Sequence, residues 1–307
     1  MASTIFLPAW WLFVLYQLLA WKWDVVHVVN FDSLLPSLLA ARIKRKRILY
    51  EIMDVYADSI VLPELIRVIG TKIEKKLAQL ADGVILIDES QAAELGGIEN
   101  SHVVTIYDTP PESCKQMASV HGKNNLFTIY CSGFFRKDRK PNLDELFAAV
   151  KGINNVKLLI SGYGDLVAHI EEASAQAQDK IEYLGFISHE QVLQHTLEAD
   201  LLVITRTCVL RNNRYNCGSN FLRAMMCGKP FLAFNGTAIA DRVIENDCGL
   251  VVDAYNTNEI QEAIIKLRDN PQLCRKMGEN ARKAYEHKYK WEVMEQRLAA
   301  FYQQVNV

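Results

Sequence analysis

Residues 156–165 read VKLLISGYGD, an apolar run of strand length that passes through two glycines into a helical pattern over 166–177. Such a run is typical of a strand buried on both faces of a parallel sheet. The glycines permit a tight turn, and the free backbone N–H groups at the start of the next helix can face an anion. The stretch therefore predicts a strand–turn–helix unit with an anion-binding turn at the carboxyl end of its strand.

The same alternation continues on either side of this unit. Downstream and just upstream, strands are predicted over 126–132, 180–184, 201–205, 230–234 and 250–252, and helices over 142–151, 189–197, 219–227 and 258–268. This half of the chain predicts a complete doubly wound α/β domain, followed by helices over 271–305.

The N-terminal part predicts a second parallel sheet. Its strands are expected over 24–30, 47–52, 83–87 and 103–106, and its helices over 34–41, 62–80 and 90–95. Residues 108–123 are richer in Pro, Ser and Gly and predict a linker. We predict three parts: a partial N-terminal domain over 1–118, a C-terminal α/β domain over 119–285, and a final helix over 286–307 that packs back toward the first domain.

Composition narrows the class of protein. With 307 residues, 50% hydrophobic and 23% charged, the chain is too apolar to be disordered. Its 34 basic and 36 acidic residues argue against a broad nucleic-acid-binding surface. The seven cysteines are odd in number and never spaced as C-x-x-C, which favours buried thiols in a reducing compartment over disulfides or a zinc site.

The first residues are unusual. Residues 5–21 carry no charge, and four of the five tryptophans lie at or beside them. The segment is short for a membrane span, and two interpretations remain open: a helix lying in the membrane interface, or a buried helix of the first domain. Residues 42–47 hold five cations, which could meet anionic lipid or form a solvated loop.

Three loops follow predicted strands of the second domain, where ligands of such sheets bind. The first, over 133–140, combines Gly133 with four cations, Arg136 and Arg139 among them, and could face a phosphate or be an exposed basic turn. The second is the Gly162, Gly164 and Asp165 turn. The third leads into a helix that Ser219 or Asn220 could cap, and its free amides would suit a diphosphate.

These motifs, in this order, resemble those of the GT-B glycosyltransferases of the group 1, retaining family. The matching stretches are 133–140, GYGD at 162–165, LGFISHE at 184–190, AD before the strand at 201–205, MMCGKP at 225–230 and GLVV at 249–252, with DVVH at 24–27, YEIMD at 50–54 and ADGVI at 81–85. The resemblance implies a GT-B fold of two Rossmann-like parallel-sheet domains, of which the C-terminal one, over 119–285, would bind the nucleotide-sugar. The N-terminal domain would be incomplete, because the family's opening strand and glycine-rich loop have no counterpart before Asp24; a missing segment or a partner would complete its sheet.

The departures from the family concern charged residues. Two family glutamates, which contact the donor's sugar and ribose, are matched by Tyr215 and Arg223. A guanidinium only donates hydrogen bonds, so Arg223 could bind phosphate but cannot accept from ribose. The family's catalytic His-Asp pair is matched by Met53 and Asp54. Asp54 is the candidate catalytic residue, orienting an acceptor hydroxyl, and its alternative role is to cap a loop.

The resemblance implies a glycosyltransferase of the hexosyltransferase type. It would transfer a sugar with retention from a nucleotide-sugar to an acceptor such as a lipid-linked or cell-surface saccharide, with no metal and no other cofactor. The alternative is a catalytically degenerate relative that serves as a binding or partner subunit. The expected location is cytoplasmic, with peripheral contact at the inner membrane face through residues 5–21. The predicted donor-binding residues are Gly133, Arg136, Arg139, Gly162, Gly164, Asp165, Asn216, Gly218, Ser219, Asn220 and Arg223.

Overall fold

Contacts within the chain define two units in the computed structural model, which describes residues 7–58, 62–100, 102–110, 126–137 and 141–305. The first unit comprises Met1–Tyr107 with Met294–Val307, and the second comprises Asp108–Val293. The boundaries predicted from the sequence lie after residues 118 and 285, with residues 286–307 as a separate third part.

The first unit is built on a four-stranded parallel sheet in the order β1-β2-β3-β4. Its strands are β1 Val25–Val29, β2 Arg47–Ile52, β3 Gly83–Leu86 and β4 Val103–Thr105, and its first helices are α1 Leu7–Ala20, α2 Leu34–Lys44, α3 Glu64–Ala78 and α4 Gln91–Glu94, with 3-10 turns at Phe31–Ser33 and Tyr56–Asp58. The apolar run of β2 is buried because helices cover both faces of such a sheet. A Cβ on Gly83 would lie 2.6 Å from the ring of Phe301, so the chain's last helix packs directly on β3.

The second unit holds six parallel strands in the order β10-β9-β8-β5-β6-β7. The strands are β5 Phe127–Phe134, β6 Val156–Tyr163, β7 Ile181–Tyr183, β8 Leu201–Val203, β9 Phe231–Phe234 and β10 Gly249–Val252. The helices are α5 Leu143–Lys151, α6 Val167–Gln176, α7 His189–Glu198, α8 Gly218–Met226, α9 Ala238–Glu245, α10 Thr257–Arg268 and α11 Pro271–Ala284; a π-helix at Tyr285–Tyr289 leads to α12, Trp291–Gln304. This order places the carboxyl ends of β5 and β6 side by side, next to β8.

Most predicted elements appear within a few residues of their expected bounds. The exception is α9, which the sequence analysis missed. Its start was signalled by Thr237, whose Oγ1 accepts a hydrogen bond from the backbone N–H of Ala240 at 3.2 Å. A threonine before a short apolar segment is an N-cap signal, and α9 is only eight residues long.

The helix α1 bears on one of the two interpretations of the N-terminal segment, while the membrane contact stays a prediction. None of its residues is buried, although it packs beside α2, so the interpretation of a buried helix is wrong. Its exposed apolar side chains are Trp10, Leu12, Phe13, Tyr16 and Leu19, and Trp21, directly after its end, is exposed too. Among the described residues, no helix has both the length and the apolar character needed to cross a membrane.

Candidate functional site

The predicted basic loop and glycine turn lie side by side at the carboxyl ends of β5 and β6. Gly133 pairs with Gly162 in the register of these strands. Gly162 has φ +146°, and a Cβ there would lie 1.9 Å from the carbonyl oxygen of Gly133. Gly164 has φ +138°, and its Cβ would lie 2.1 Å from the carbonyl oxygen of Phe135. Both glycines are therefore required for two backbones to approach each other, whatever they contribute to ligand binding.

Asp165 fastens the basic loop to the glycine turn. Its Oδ1 accepts a hydrogen bond from the backbone N–H of Lys137 at 2.8 Å. Its neighbour Leu166 donates its own N–H to the carbonyl oxygen of Phe135 at 3.2 Å. Asp165 thus positions the loop that carries Arg136, whereas Arg139, predicted to bind phosphate, lies outside the described residues.

Three exposed aromatic rings form a row along the carboxyl ends of β5, β6 and β7; we call Phe134, Tyr163 and Phe186 the aromatic row. The ring centroids of Phe134 and Tyr163 are 4.6 Å apart and stacked, and Tyr163 meets Phe186 edge-on at 5.3 Å. The guanidinium of Arg136 lies 5.5 Å from the Phe134 ring. Sequence reasoning missed the row, although each ring directly follows a glycine at the end of a strand, at Gly133, Gly162 and Gly185.

The start of α8 is shaped by a second arginine that the sequence analysis missed. Gly218 has φ +70°, and a Cβ there would lie 2.5 Å from Nη2 of Arg206. Nη1 of Arg206 donates to the carbonyl oxygen of Asn216 at 3.3 Å, and Oδ1 of Asn216 accepts from the N–H of Gly218 at 2.7 Å. Arg206 lies three residues after the end of β8. A basic residue at the carboxyl end of a central strand is the sequence signal that could have identified it.

The predicted cap of α8 by Ser219 or Asn220 is wrong. The helix begins at Gly218, which places both residues inside its first turn, and the capping residue Cys217 makes no side-chain cap bond. Asn220 instead donates its Nδ2 to the carbonyl oxygen of Ser132 at 3.3 Å. Its Oδ1 accepts from Nη1 of Arg223 at 3.0 Å, so Asn220 links the end of β5 to α8.

Arg223 lies in the last turn of α8. Burial lowers the pKa of Arg223, an effect that nearby Cys227, Tyr130 and Asp108 oppose. Its Nε is buried and has no hydrogen-bond partner among the described residues. Burying an unpaired cationic N–H is costly, and a bound anion would remove that cost.

Tyr130 lies beside Arg223 and is itself largely buried. Its hydroxyl is 2.5 Å from Oγ of Ser161, and burial raises the pKa of Tyr130, which keeps the phenol neutral. Tyr215, at the other family glutamate position, has the guanidinium of Arg211 5.3 Å from its ring. The polar groups described around α8 are therefore mainly donors and cations, which suits an anionic ligand.

Asp54 belongs to the first unit, in the bend that follows β2, and is half-buried. Among the described residues, no group of three or more His, Cys, Asp or Glu side chains is arranged to hold a metal ion. The roles predicted for the individual site residues, and the absence of a metal from the reaction, stay predictions.

The family model of the "Glycosyl transferases group 1" matches residues 116–284. The chain therefore belongs to the group 1 glycosyltransferases, which confirms the predicted family and enzyme class.

Individual relatives agree with this assignment. An uncharacterized glycosyltransferase of Methanocaldococcus jannaschii is 24% identical over 88% of this chain and 72% of its own length. A GDP-mannose-dependent monoacylated α-(1-6)-phosphatidylinositol monomannoside mannosyltransferase of Corynebacterium glutamicum is 26% identical, over 47% of this chain and 38% of its own. The chain thus spans well under half of this second relative.

Solved structures confirm the fold. The Anabaena protein HepE, whose crystal structure contains UDP, aligns with a TM-score of 0.75 over 97% of this chain and 82% of its own, at 16% identity. The fold is GT-B, with two parallel α/β sheets, and the four-stranded sheet of the first unit agrees with the prediction of a shortened N-terminal domain.

Proposed function

We propose that this protein transfers a sugar, with retention, from a nucleoside-diphosphate sugar to a hydroxyl of a saccharide or lipid-linked acceptor. The observation that carries the proposal is the arrangement around Arg223: a buried cationic N–H without a partner, beside two strand ends held close together by glycines. A diphosphate supplies the anion that this arrangement lacks. The relative from Corynebacterium glutamicum is named for a GDP-sugar and HepE was crystallised with UDP, which supports a donor of this class.

In the proposed reaction, the bond between the anomeric carbon and the diphosphate oxygen breaks, and its electron pair leaves with the nucleoside diphosphate. A bond forms between the anomeric carbon and the acceptor oxygen, whose proton passes to the departing diphosphate. Arg223 and Arg206 stabilise the charge that develops on the diphosphate, the main electrostatic task of the step. Asp54 orients the acceptor hydroxyl. No metal takes part, so chelation with EDTA should leave the rate unchanged.

Calorimetric titration with UDP, GDP and ADP tests the donor site. We expect one of the three to bind, with the strongest contribution from its diphosphate. If none binds to the intact protein, the enzyme proposal fails, and a degenerate binding subunit becomes the better account.

We further propose that the protein acts at the inner face of a membrane, contacting anionic lipid through α1. The exposed side chains of α1 continue onto α2, where Leu39 and Ile43 are also exposed. The cations at 42–47 follow on α2 and β2; two of them form ion pairs, Lys46 with Asp24 at 2.7 Å and Arg47 with Asp82 at 2.6 Å. Tryptophan, apolar surface and cations together favour the interface of an anionic bilayer.

The test is co-sedimentation with vesicles that contain phosphatidylglycerol. We expect binding that high salt weakens only in part, because salt does not screen apolar burial. Leu12→Glu should abolish it. Leu65→Glu is the matched control, since Leu12 on α1 and Leu65 on α3 are 70% and 72% exposed in the same unit. Equal binding by both variants would contradict the role of α1.

A further inference from the structure

The bend that carries Asp54 is held by three side-chain contacts, made by Gln91 on α4 and by Glu74 and Arg67 on α3. It runs from Met53, after the end of β2, to the 3-10 turn Tyr56–Asp58; we call residues 53–58 the Asp54 loop. Neither of the glycines nearest to it in sequence, Gly70 and Gly83, lies within it. The conformation of the loop therefore depends on hydrogen bonds and an ion pair with surrounding side chains.

The first contact is made by Gln91, at the start of α4. Its side chain is fully buried, and its Nε2 donates to the carbonyl oxygen of Met53 at 3.1 Å. Its Oε1 accepts from the backbone N–H of Ile87 at 2.8 Å. Gln91 thus ties the start of the Asp54 loop to the end of β3.

The second contact is made by Glu74, in the last part of α3. Glu74 is 1% exposed, its Oε1 accepts from the hydroxyl of Tyr50 at 2.7 Å, and its Oε2 accepts from the backbone N–H of Tyr56 at 2.9 Å. One carboxyl group therefore joins the strand before Asp54 to the residue two positions after it. Burying a carboxyl group costs free energy unless the group is hydrogen-bonded. Both hydrogen bonds of Glu74 connect it to the Asp54 loop or to the strand before it.

The third contact is an ion pair at the far end of the loop. Asp58 is buried and accepts from Nη1 of Arg67 on α3 at 2.8 Å. A Cβ on Gly70 would lie 3.1 Å from Cβ of Ala57, so α3 also packs tightly against the 3-10 turn. Asp54 therefore lies between two fixed points, Met53 and Tyr56.

We propose that Glu74 is a positioning residue, which sets the place of Asp54 by holding the backbone of Tyr56. This inference rests on the proposed function, in which Asp54 orients the acceptor hydroxyl. The carboxyl groups of Asp58 and Asp54 and the hydroxyl of Tyr50 face Glu74, and Asp32 acts on Tyr50. Burial, with these carboxylates, raises the pKa of Glu74 to about 7, so the group that holds the loop changes its charge near neutral pH.

The experiment is a double-mutant cycle on the hydrolysis of UDP-glucose or GDP-mannose, whichever binds, with water as the acceptor. We expect Glu74→Ala to lower kcat by about 10- to 100-fold with the donor KM unchanged, because a misplaced group of this kind costs rate rather than donor binding. In the Asp54→Asn background the same substitution should have no further effect. Glu74→Gln, which keeps an acceptor for Tyr56, should restore most of the rate and flatten its pH profile around pH 7.

The control is Asp82→Asn. Asp82 also accepts a backbone N–H at 2.9 Å, but from Ile48 near the amino end of β2, so its substitution should leave kcat unchanged. A loss of rate on Glu74→Ala that is equally large in the Asp54→Asn background would show a general structural role and overturn the proposal. So would an unchanged rate in Glu74→Ala when Asp54→Asn is impaired.

The proposed function fails differently. If no nucleotide-sugar binds, calorimetry reports it before any rate is measured. If the donor binds and Asp54→Asn keeps the full rate, Asp54 has no catalytic role and the positioning role of Glu74 is overturned with it. Should Glu74→Ala fail to fold, the pH profile of Glu74→Gln decides: a profile identical to that of the unmodified protein would overturn the proposal.

Discussion

The loops at the carboxyl ends of the two sheets are held in different ways. In the second unit, Gly162 and Gly164 let two backbones approach so closely that a single Cβ would collide with a carbonyl oxygen. In the first unit, the Asp54 loop is held by the buried side chains of Glu74 and Gln91, and its own Asp58 pairs with Arg67. A steric contact does not depend on pH, whereas the charge of a buried carboxyl group does. The glycine turn, where we propose that the donor binds, therefore keeps its packing at any pH, whereas the Asp54 loop can respond to protons.

The largest expected effect comes from breaking the steric contact with Gly162→Ala. The new Cβ would lie 1.9 Å from a backbone oxygen at φ +146°, so we expect the free energy of unfolding to fall by about 3 kcal/mol or more. Urea denaturation followed by circular dichroism measures it.

Gly185→Ala is the matched control for this substitution. Gly185 has φ +78° but no atom within 4 Å of an added Cβ, so only backbone strain remains, about 1 to 2 kcal/mol. If the two variants lose the same stability, the close approach of Gly162 to Gly133 is not what holds the glycine turn.

The next effect concerns charge at the donor end. Arg223→Glu replaces a half-buried cation by an anion, so we expect the binding of UDP or GDP to weaken by about 1.5 to 3 kcal/mol, measured by calorimetry. Arg275→Glu makes the same change of charge on an exposed residue of α11 and should leave binding unchanged. A gain in affinity on Arg223→Glu would indicate a restored ribose contact in a degenerate site, and would count against catalysis by the natural sequence.

The third effect tests the pH dependence of the first unit. The pKa of Glu74 is raised from its ordinary 4.5 to about 7, so its stabilising contribution is complete below pH 4.5 and is lost as the pH rises through 7. Glu74→Gln does not titrate. We therefore expect the free energy of unfolding of this variant, relative to the unmodified protein, to rise by on the order of 2 kcal/mol between pH 5 and pH 8.

Urea denaturation at several pH values in this range measures that difference. A difference that stays constant from pH 5 to pH 8 would mean that Glu74 does not change its charge there.

The same contrast explains what could be predicted from sequence. The glycine turn was predictable because a pair of glycines directly after an apolar strand is a strong signal for a turn. Glu74 was not, because it lies in the charged run KIEKK of α3 and is expected to face solvent. In the structure Glu74 is buried, while Leu65, Ile66, Ile69 and Ile73 of the same helix are exposed. Tertiary contacts with Tyr50 and Tyr56 override the periodicity here, and no local pattern records them.

The predicted cap of α8 was wrong for a related reason. Ser219 and Asn220 are good capping residues, but the left-handed conformation available to Gly218 lets the helix begin earlier. The amide of Asn220 is then free to bond Ser132, a residue distant in sequence. Arg223 falls within the predicted helix 219–227, and its contact with Asn220, three residues earlier, depends on the helical register.

The smallest expected effect separates the base from the diphosphate at the donor end. Phe186 is 77% exposed and meets Tyr163 edge-on, so its removal should leave stability nearly unchanged. Bases stack on exposed aromatic rings, and one such contact contributes about 1 kcal/mol or somewhat more. We expect Phe186→Ala to weaken the binding of UDP or GDP by about that amount and to leave the binding of inorganic diphosphate unaffected, whereas Arg223→Glu should weaken the binding of both.

Tyr255→Ala is the control, an exposed ring that follows β10 at the opposite edge of the same sheet. Calorimetry with the nucleotide and with diphosphate alone separates the cases: a loss of diphosphate binding in Phe186→Ala would mean that the glycine turn had moved, and unchanged nucleotide binding would mean that Phe186 does not contact the base.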